Sequence, residues 1–232
     1  MIIEHYITEK IHKIHYRSNK MSSDTKTETY LESIISTLKE NQLFFDSNQI
    51  GKEVYDEVIE LINDVIDLLP FVNDLSTAVT PFVMNGLMPY SYGISLTLYS
   101  GNIVASIMQL RFLIEYLALT VLADNIDSNH ALEKLSIIRN KYENKSLSRL
   151  LSDFDSDAYE LWKLLSKWLH AKTYSIEIER IIINQGVKTW SIIQPAPYHK
   201  EDEEHLSEFL MYIKKFREIL KRKLLDLKIS GR

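Results

Sequence analysis

Apolar residues recur at helical spacing along most of this chain. In Thr27–Asn41 they fall at Tyr30, Ile34, Ile35 and Leu38, a stripe of 3.6-residue period. Glu53–Leu69 repeats the pattern more strongly. Val54, Val58, Leu61, Ile62, Val65 and Leu69 make a core face, and Glu53, Glu57, Glu60, Asp64 and Asp67 an acidic one, before Pro70 stops the helix. Ser76–Tyr90 is interrupted by Pro81, Gly86 and Pro89. Ile94–Ala123 then reads as one long helix, kinked at Ser100-Gly101. Apolar almost all round, it is expected at the centre of the fold.

The second half continues in helices. The turn cluster Asp124–Asn129 precedes a helix over Ala131–Tyr142, with Ser128 as its cap, and Leu147–Leu151 forms a short helical turn. Asp157 and Glu160 open a helix that carries Leu161, Trp162, Leu165, Trp168 and Leu169 and ends at His170. The one β signal follows. Ile176–Ile183 and Thr189–Ile193 flank Asn184–Lys188, which predicts a hairpin turning at Gly186. Glu201–Leu227 closes the chain as an amphipathic helix with Leu206, Phe209, Leu210, Ile213, Phe216, Leu220 and Leu224 inward. The pattern predicts a mainly α, bundle-like single domain over 26–232, with a small β-hairpin at about 176–193 before the last helix. Residues 1–25 form a variable N-terminal lead.

Composition narrows the chemistry. The 232 residues include no cysteine, which removes disulfides, thiolate metal sites and cysteine nucleophiles. Few Gln and abundant Ile, Lys, Glu and Tyr fit a thermophile. No apolar leader is visible within Met1–Lys20, so a cytoplasmic location is expected. Leu75–Leu110 contains no charged residue or histidine and is long enough to span a bilayer. Its Pro and Gly, with many Ser, Thr, Asn and Tyr, argue instead for short helices inside a core, and no membrane span is expected. The formal net charge of −5 is unevenly placed. Ser22–Asp74 holds twelve acidic and three basic residues, and Met211–Arg232 eight basic and two acidic. Such a basic end can bind nucleic acid or dock on the chain's own acidic helix.

Two polar features interrupt the apolar helices. Arg111 and Glu115 stand one turn apart in Ile103–Ala123, where charge is costly unless paired. They are either an internal pair that fixes helix register or a cleft in which Arg binds a phosphate or carboxylate. Both are expected to be largely buried. His170 is either a helix-terminal histidine meeting the last carbonyls or a general base. Metal ligation is not expected. His12 and His15 lie in the lead, His199 and His205 flank an acidic run, and Asp153-Phe-Asp-Ser-Asp157 lacks the glycine and glutamate of a calcium loop. A phosphate-binding glycine loop, Gly-x-Ser-x-Gly and His-Glu-x-x-His are absent, which excludes P-loop nucleotide hydrolysis, serine hydrolysis of that type and zinc proteolysis.

The segments Leu110-Arg-Phe-Leu-Ile-Glu-Tyr-Leu-Ala-Leu119 and Leu165-Ser-Lys-Trp-Leu-His170 resemble the HEPN-like helical families, over roughly residues 95–175. In many of these a central helix carries Leu-Arg-x-x-x-Glu and a later helix ends in an apolar residue followed by His. The resemblance implies a homodimeric, cofactor-free RNA-binding or metal-independent RNA-cleaving accessory protein of a defence or stress system. His170, Arg111 and Glu115 would form the catalytic set. Lys163, Lys167, Lys214, Lys215, Arg217, Lys221 and Arg222 would meet the RNA. The families' Arg-x4–6-His arginine has no counterpart: Lys163 and Lys167 precede His170 by seven and three residues, and lysine lacks the planar fork. The alternative is a non-catalytic helical interaction module, docking a protein partner through the acidic helix 53–67 and the basic helix 214–228. An enzyme should gather Arg111, Glu115 and His170 in one open cleft, whereas a scaffold should bury or scatter them.

Overall fold

The structure, a computed structural model, describes residues 25–69, 76–143, 146–183 and 197–230. Among these residues it is mainly α and contains no strand. Helices α1 (Thr25–Ser47) and α2 (Gln49–Leu68) meet at Asn48. Asn48 is extended, and its side chain accepts from the Gly51 N–H at 2.9 Å, the standard way to satisfy a helix N-terminus. The corner is tight, because a Cβ on Gly51 would stand 3.2 Å from the Phe44 carbonyl oxygen.

The chain from Val79 to Tyr99 stays helical despite its prolines: α3 (Val79–Phe82), a π turn (Val83–Leu87) and α4 (Met88–Tyr99). Pro81 is tolerated in a first turn, whose N–H groups lack intrahelical acceptors. The π turn lies just ahead of Pro89, whose ring would crowd the carbonyl four residues back, and widening the helix there is one way to relieve that clash. The expected kink at Ser100-Gly101 is a full reversal. Gly101 has φ 76°, and Asn102 caps α5 (Ile103–Asp124) by accepting from the Ala105 N–H at 2.9 Å. The contacts Thr97–Ser106, Tyr90–Phe112 and Phe82–Tyr116 nest around Gly101, so α3–α4 and α5 form one antiparallel hairpin. Asp124 fastens its open end, accepting from the Thr77 hydroxyl and the Ala78 N–H, each at 2.6 Å.

Helix α5 is the centre, as its pattern predicts. It packs against α4 and against the helices that follow: α6 (Ala131–Tyr142), α7 (Leu147–Phe154), α8 (Ser156–Ile183) and α9 (Glu203–Ser230). Ile107, Leu110, Leu113, Ile114 and Leu117 have no exposed surface. Burying each such side chain contributes about 1.5–3 kcal/mol. Helix α5 is also long and apolar enough to cross a membrane, and half of its most apolar stretch is buried inside this molecule.

Helix α8 corrects the expected hairpin. It runs through Ile183 and takes in the first arm, 176–183, while the second arm, 189–193, lies outside the described residues. No Gly or Pro stands between Ser156 and Ile183, so nothing stops the helix, and the Ile-Glu alternation that reads as strand is overridden. Ser128 is not the cap of α6. His130 holds that position, and the Ser128 hydroxyl accepts from the His130 N–H at 3.2 Å. The lead, 1–24, lies outside the described residues.

Charge organises the last helix. Helices α2 and α9 run parallel, tied by Asn48 to Glu203 near their starts and by Arg217 to Glu57 and Asp64 farther along. Helices α8 and α9 run antiparallel, tied by Trp168 to Glu208 at one end and by Asp155 to Arg222 at the other. Asn41 is fully buried. It donates to the Tyr99 carbonyl and accepts from the Tyr198 N–H, at 2.8 and 2.7 Å, which joins α1, α4 and the approach to α9.

Candidate functional site

Glu115 accepts from Arg111 Nε at 3.1 Å and from the Trp162 indole N–H at 2.7 Å through the same oxygen, Oε1. The Arg111 guanidinium lies over the Trp162 ring, 5.0 Å from its centroid. The pair therefore bridges α5 to α8. Stacking on an aromatic face is a role for which arginine's planar group is suited. The site is shallower than expected: the Arg111 and Glu115 side chains keep 29% and 17% exposure. Enough solvent reaches them to screen the charges, so the full penalty of a buried ion does not apply. The Arg111 terminal amino groups make no hydrogen bond among the described residues and remain open to a ligand. Trp162 stacks on Tyr159, with centroids 6.5 Å apart, and Lys163 lies over the other aromatic, 5.1 Å from the Tyr159 centroid.

The composition-based reading misses Trp162 as part of this site. Its indole N–H requires an acceptor once partly buried, but which acid supplies it is set by how α5 and α8 pack. Glu115 is the acid inside the neighbouring apolar helix.

His170 does not join this cluster. It is exposed on α8, two turns beyond Trp162, a separation of about 12 Å along the helix axis. The predicted basic surface divides in two. Arg217 is buried, ion-paired with Glu57, with Glu60 at 3.2 Å and with Asp64 at 2.6 Å, and Lys221 reaches Asp64 at 3.1 Å. Burial alone would lower the Arg217 pKa, but its bonds to Asp64 and Glu57 raise it well above the ordinary value. Arg222 pairs with Asp155 at 3.1 Å and Asp157 at 2.9 Å, and Lys223 pairs with Asp155 at 2.9 Å. These groups bind α9 to the molecule itself. Lys163, Lys167 and Lys214 are exposed and Lys215 is half-buried, with Lys163 held by Glu160 at 3.0 Å. The acidic face of helix 53–67 is correspondingly covered where Glu57 and Asp64 meet Arg217, while Glu60 stays 56% exposed.

The outward side of the hairpin formed by the π turn and α4 with α5 is apolar. Met84, Leu96, Met108 and Phe112 are 44–49% exposed and Tyr92 is 37% exposed, with Tyr90 packed against Phe112. Phe112 is the sequence neighbour of Arg111, so the polar cluster lies on the border of this surface. Among the described residues no group of three His, Asp or Glu is placed to hold a metal ion. Asp155, in the segment that mimics a calcium loop, caps α8 by accepting from the Asp157 and Ala158 N–H groups at 2.9 and 3.0 Å. Comparison with protein-family models, with curated proteins and with solved structures finds no match to this chain.

Proposed function

We propose that this chain is a non-catalytic helical interaction module that docks a protein on the outward face of the α4–α5 hairpin. One observation carries the reading: five large apolar side chains stand exposed on a hairpin whose segment Leu75–Leu110 bears no charge. Exposed apolar clusters of this kind mark association surfaces. The scattering of His170 away from Arg111 and Glu115, and the use of Arg217, Lys221 and Arg222 in internal pairs, support the same reading. The first partner to test is a second copy. Arg111 and Glu115 give the border one charge of each sign, which two-fold pairing can match with its own image. Sedimentation velocity at micromolar concentration should give a species of twice 27.1 kDa. The double substitution Met108→Glu with Phe112→Glu should return it to one chain, and His170→Ala should not. A single-chain species for the unmodified protein, with no change on either substitution, counts against the face.

The HEPN-like reading, an RNA-binding or RNA-cleaving protein of a defence or stress system, is favoured by one feature. Arg111 offers open amino groups on the helix pair that also carries the exposed His170. On that reading His170 takes the ribose 2′-hydroxyl proton and Arg111 steadies the phosphate. RNA binding would fall steeply with salt. Cleavage would persist in EDTA and vanish in His170→Ala. Absence of RNA binding at low salt eliminates it.

A further inference from the structure

We infer that a second site, a cleft between α5, α6 and α7, binds a small zwitterion with an apolar body, such as an apolar α-amino acid. The cleft has a volume of about 400 Å³ and is lined by Leu119, Arg139, Asn140, Tyr142, Glu143, Leu147 and Leu150. That volume falls within the range of small-molecule sites, roughly 300–1,000 Å³. Its lining is divided by chemistry. Leu150 and Tyr142 are buried and Leu119 and Leu147 half-buried, which makes an apolar floor from three helices. Tyr142 keeps its hydroxyl engaged with Asp153 at 2.9 Å.

The rim comes from the end of α6. Arg139 and Glu143 are both exposed and stand one turn apart, with Cβ atoms about 5–6 Å from each other. Arginine ahead of glutamate is the poorer order for an i,i+4 pair, and these two make no ion pair. Neither side chain has a hydrogen-bond partner among the described residues. Two opposite charges held close but unpaired, above an apolar floor, match a ligand carrying a carboxylate and an ammonium on adjacent atoms. Arg139 takes the carboxylate through its fork, Glu143 takes the ammonium, and the apolar side chain enters toward Leu150. A simple anion would meet Glu143 unfavourably, and a simple cation would meet Arg139.

Calorimetric titration of the full chain with L-leucine and L-phenylalanine tests this directly. At least one should bind with 1:1 stoichiometry. The leucine analogues 4-methylpentanoate, without the amine, and 3-methylbutylamine, without the carboxylate, should bind at least about tenfold more weakly. Arg139→Met should abolish binding of the amino acid. Glu143→Gln should remove its preference over 4-methylpentanoate. Both substitutions are at exposed positions, and circular dichroism checks that the fold is kept. Arg111→Met should leave the titration unchanged, which separates this site from the docking face. No heat with either amino acid, or equal binding of the one-charge analogues, overturns the proposal.

Discussion

Glu115 serves two donors from two helices, so its replacement tests the bridge between α5 and α8. Glu115→Gln keeps an acceptor for Trp162 but removes the charge that holds Arg111. With both side chains partly exposed, the cost should be about 1 kcal/mol, read from the shift in urea midpoint. Trp162→Phe removes the indole donor and weakens the stacking under Arg111, and should cost more, about 2 kcal/mol. A Trp162→Phe midpoint equal to that of the unmodified chain would show that the indole bond contributes nothing. At the other end of the same helix, Asp155 sets an acid-side dependence. Partial burial alone would raise its pKa, but the bond from Lys223, the Ala158 N–H and the charges of Lys223 and Arg222 together hold it below the ordinary carboxylate value. A carboxyl with a depressed folded-state pKa stabilises the fold fully above its unfolded value of about 3.9. That contribution is lost as pH falls through the lower folded-state value. The urea midpoint of the unmodified chain should therefore drop more steeply on acidification below about pH 4 than that of Asp155→Asn.

Among the elements, the α3–α4 to α5 hairpin has the tightest steric requirement. A Cβ on Gly86 would stand 2.2 Å from the Tyr116 ring, and that ring is held by its hydroxyl bond to the Pro81 carbonyl and by edge contact with Phe82. Gly86→Ala should cost about 1–3 kcal/mol by overpacking, measurable as a lowered thermal midpoint. The apolar stripes of α2 and α9 were legible in the sequence, because each buries nearly all the positions its 3.6-residue period marks, and α5 was legible as the central helix because it is apolar almost all round. The reversal at Gly101 was legible only as a weak point. Whether a Ser-Gly pair kinks a helix or turns it back depends on what the two flanking segments bury against each other, here Tyr90 on Phe112 and Phe82 on Tyr116. The end of α8 was misread for a related reason. Alternating Ile and Glu satisfy a strand locally, and only the uninterrupted helix entering from Ser156 decides otherwise. At the candidate site, the i,i+4 spacing of Arg111 and Glu115 was readable. Their partner on α8 depends on how two distant helices pack, which no local pattern encodes.

In the whole molecule, the charge asymmetry resolves in part into contact between distant segments, Arg217 and Lys221 on α9 with the carboxylates of α2. Arg217 sits among Glu57, Glu60 and Asp64, so Arg217→Met should strand partly buried carboxylates and cost about 3–5 kcal/mol in urea unfolding. Arg217→Lys should recover only part of this, since one ammonium cannot meet three carboxylates as the guanidinium does. The joined positions lie far apart in sequence: Asn48 and Glu203 are separated by 155 residues, and Glu57 and Arg217 by 160. Contacts of such range make closing the fold slow relative to forming its helices. They also order events during synthesis. Helix α2 leaves the ribosome with its carboxylates uncovered, and although α1 and α4 pack on part of its apolar stripe, the side that α9 covers stays open until α9 follows. A nascent chain halted before Phe209 therefore exposes the half-built core to proteases and chaperones, and one released after Leu224 does not. Released chains truncated at stepped positions, probed by limited proteolysis, should show protection of α2 arising abruptly within α9 rather than gradually along the chain.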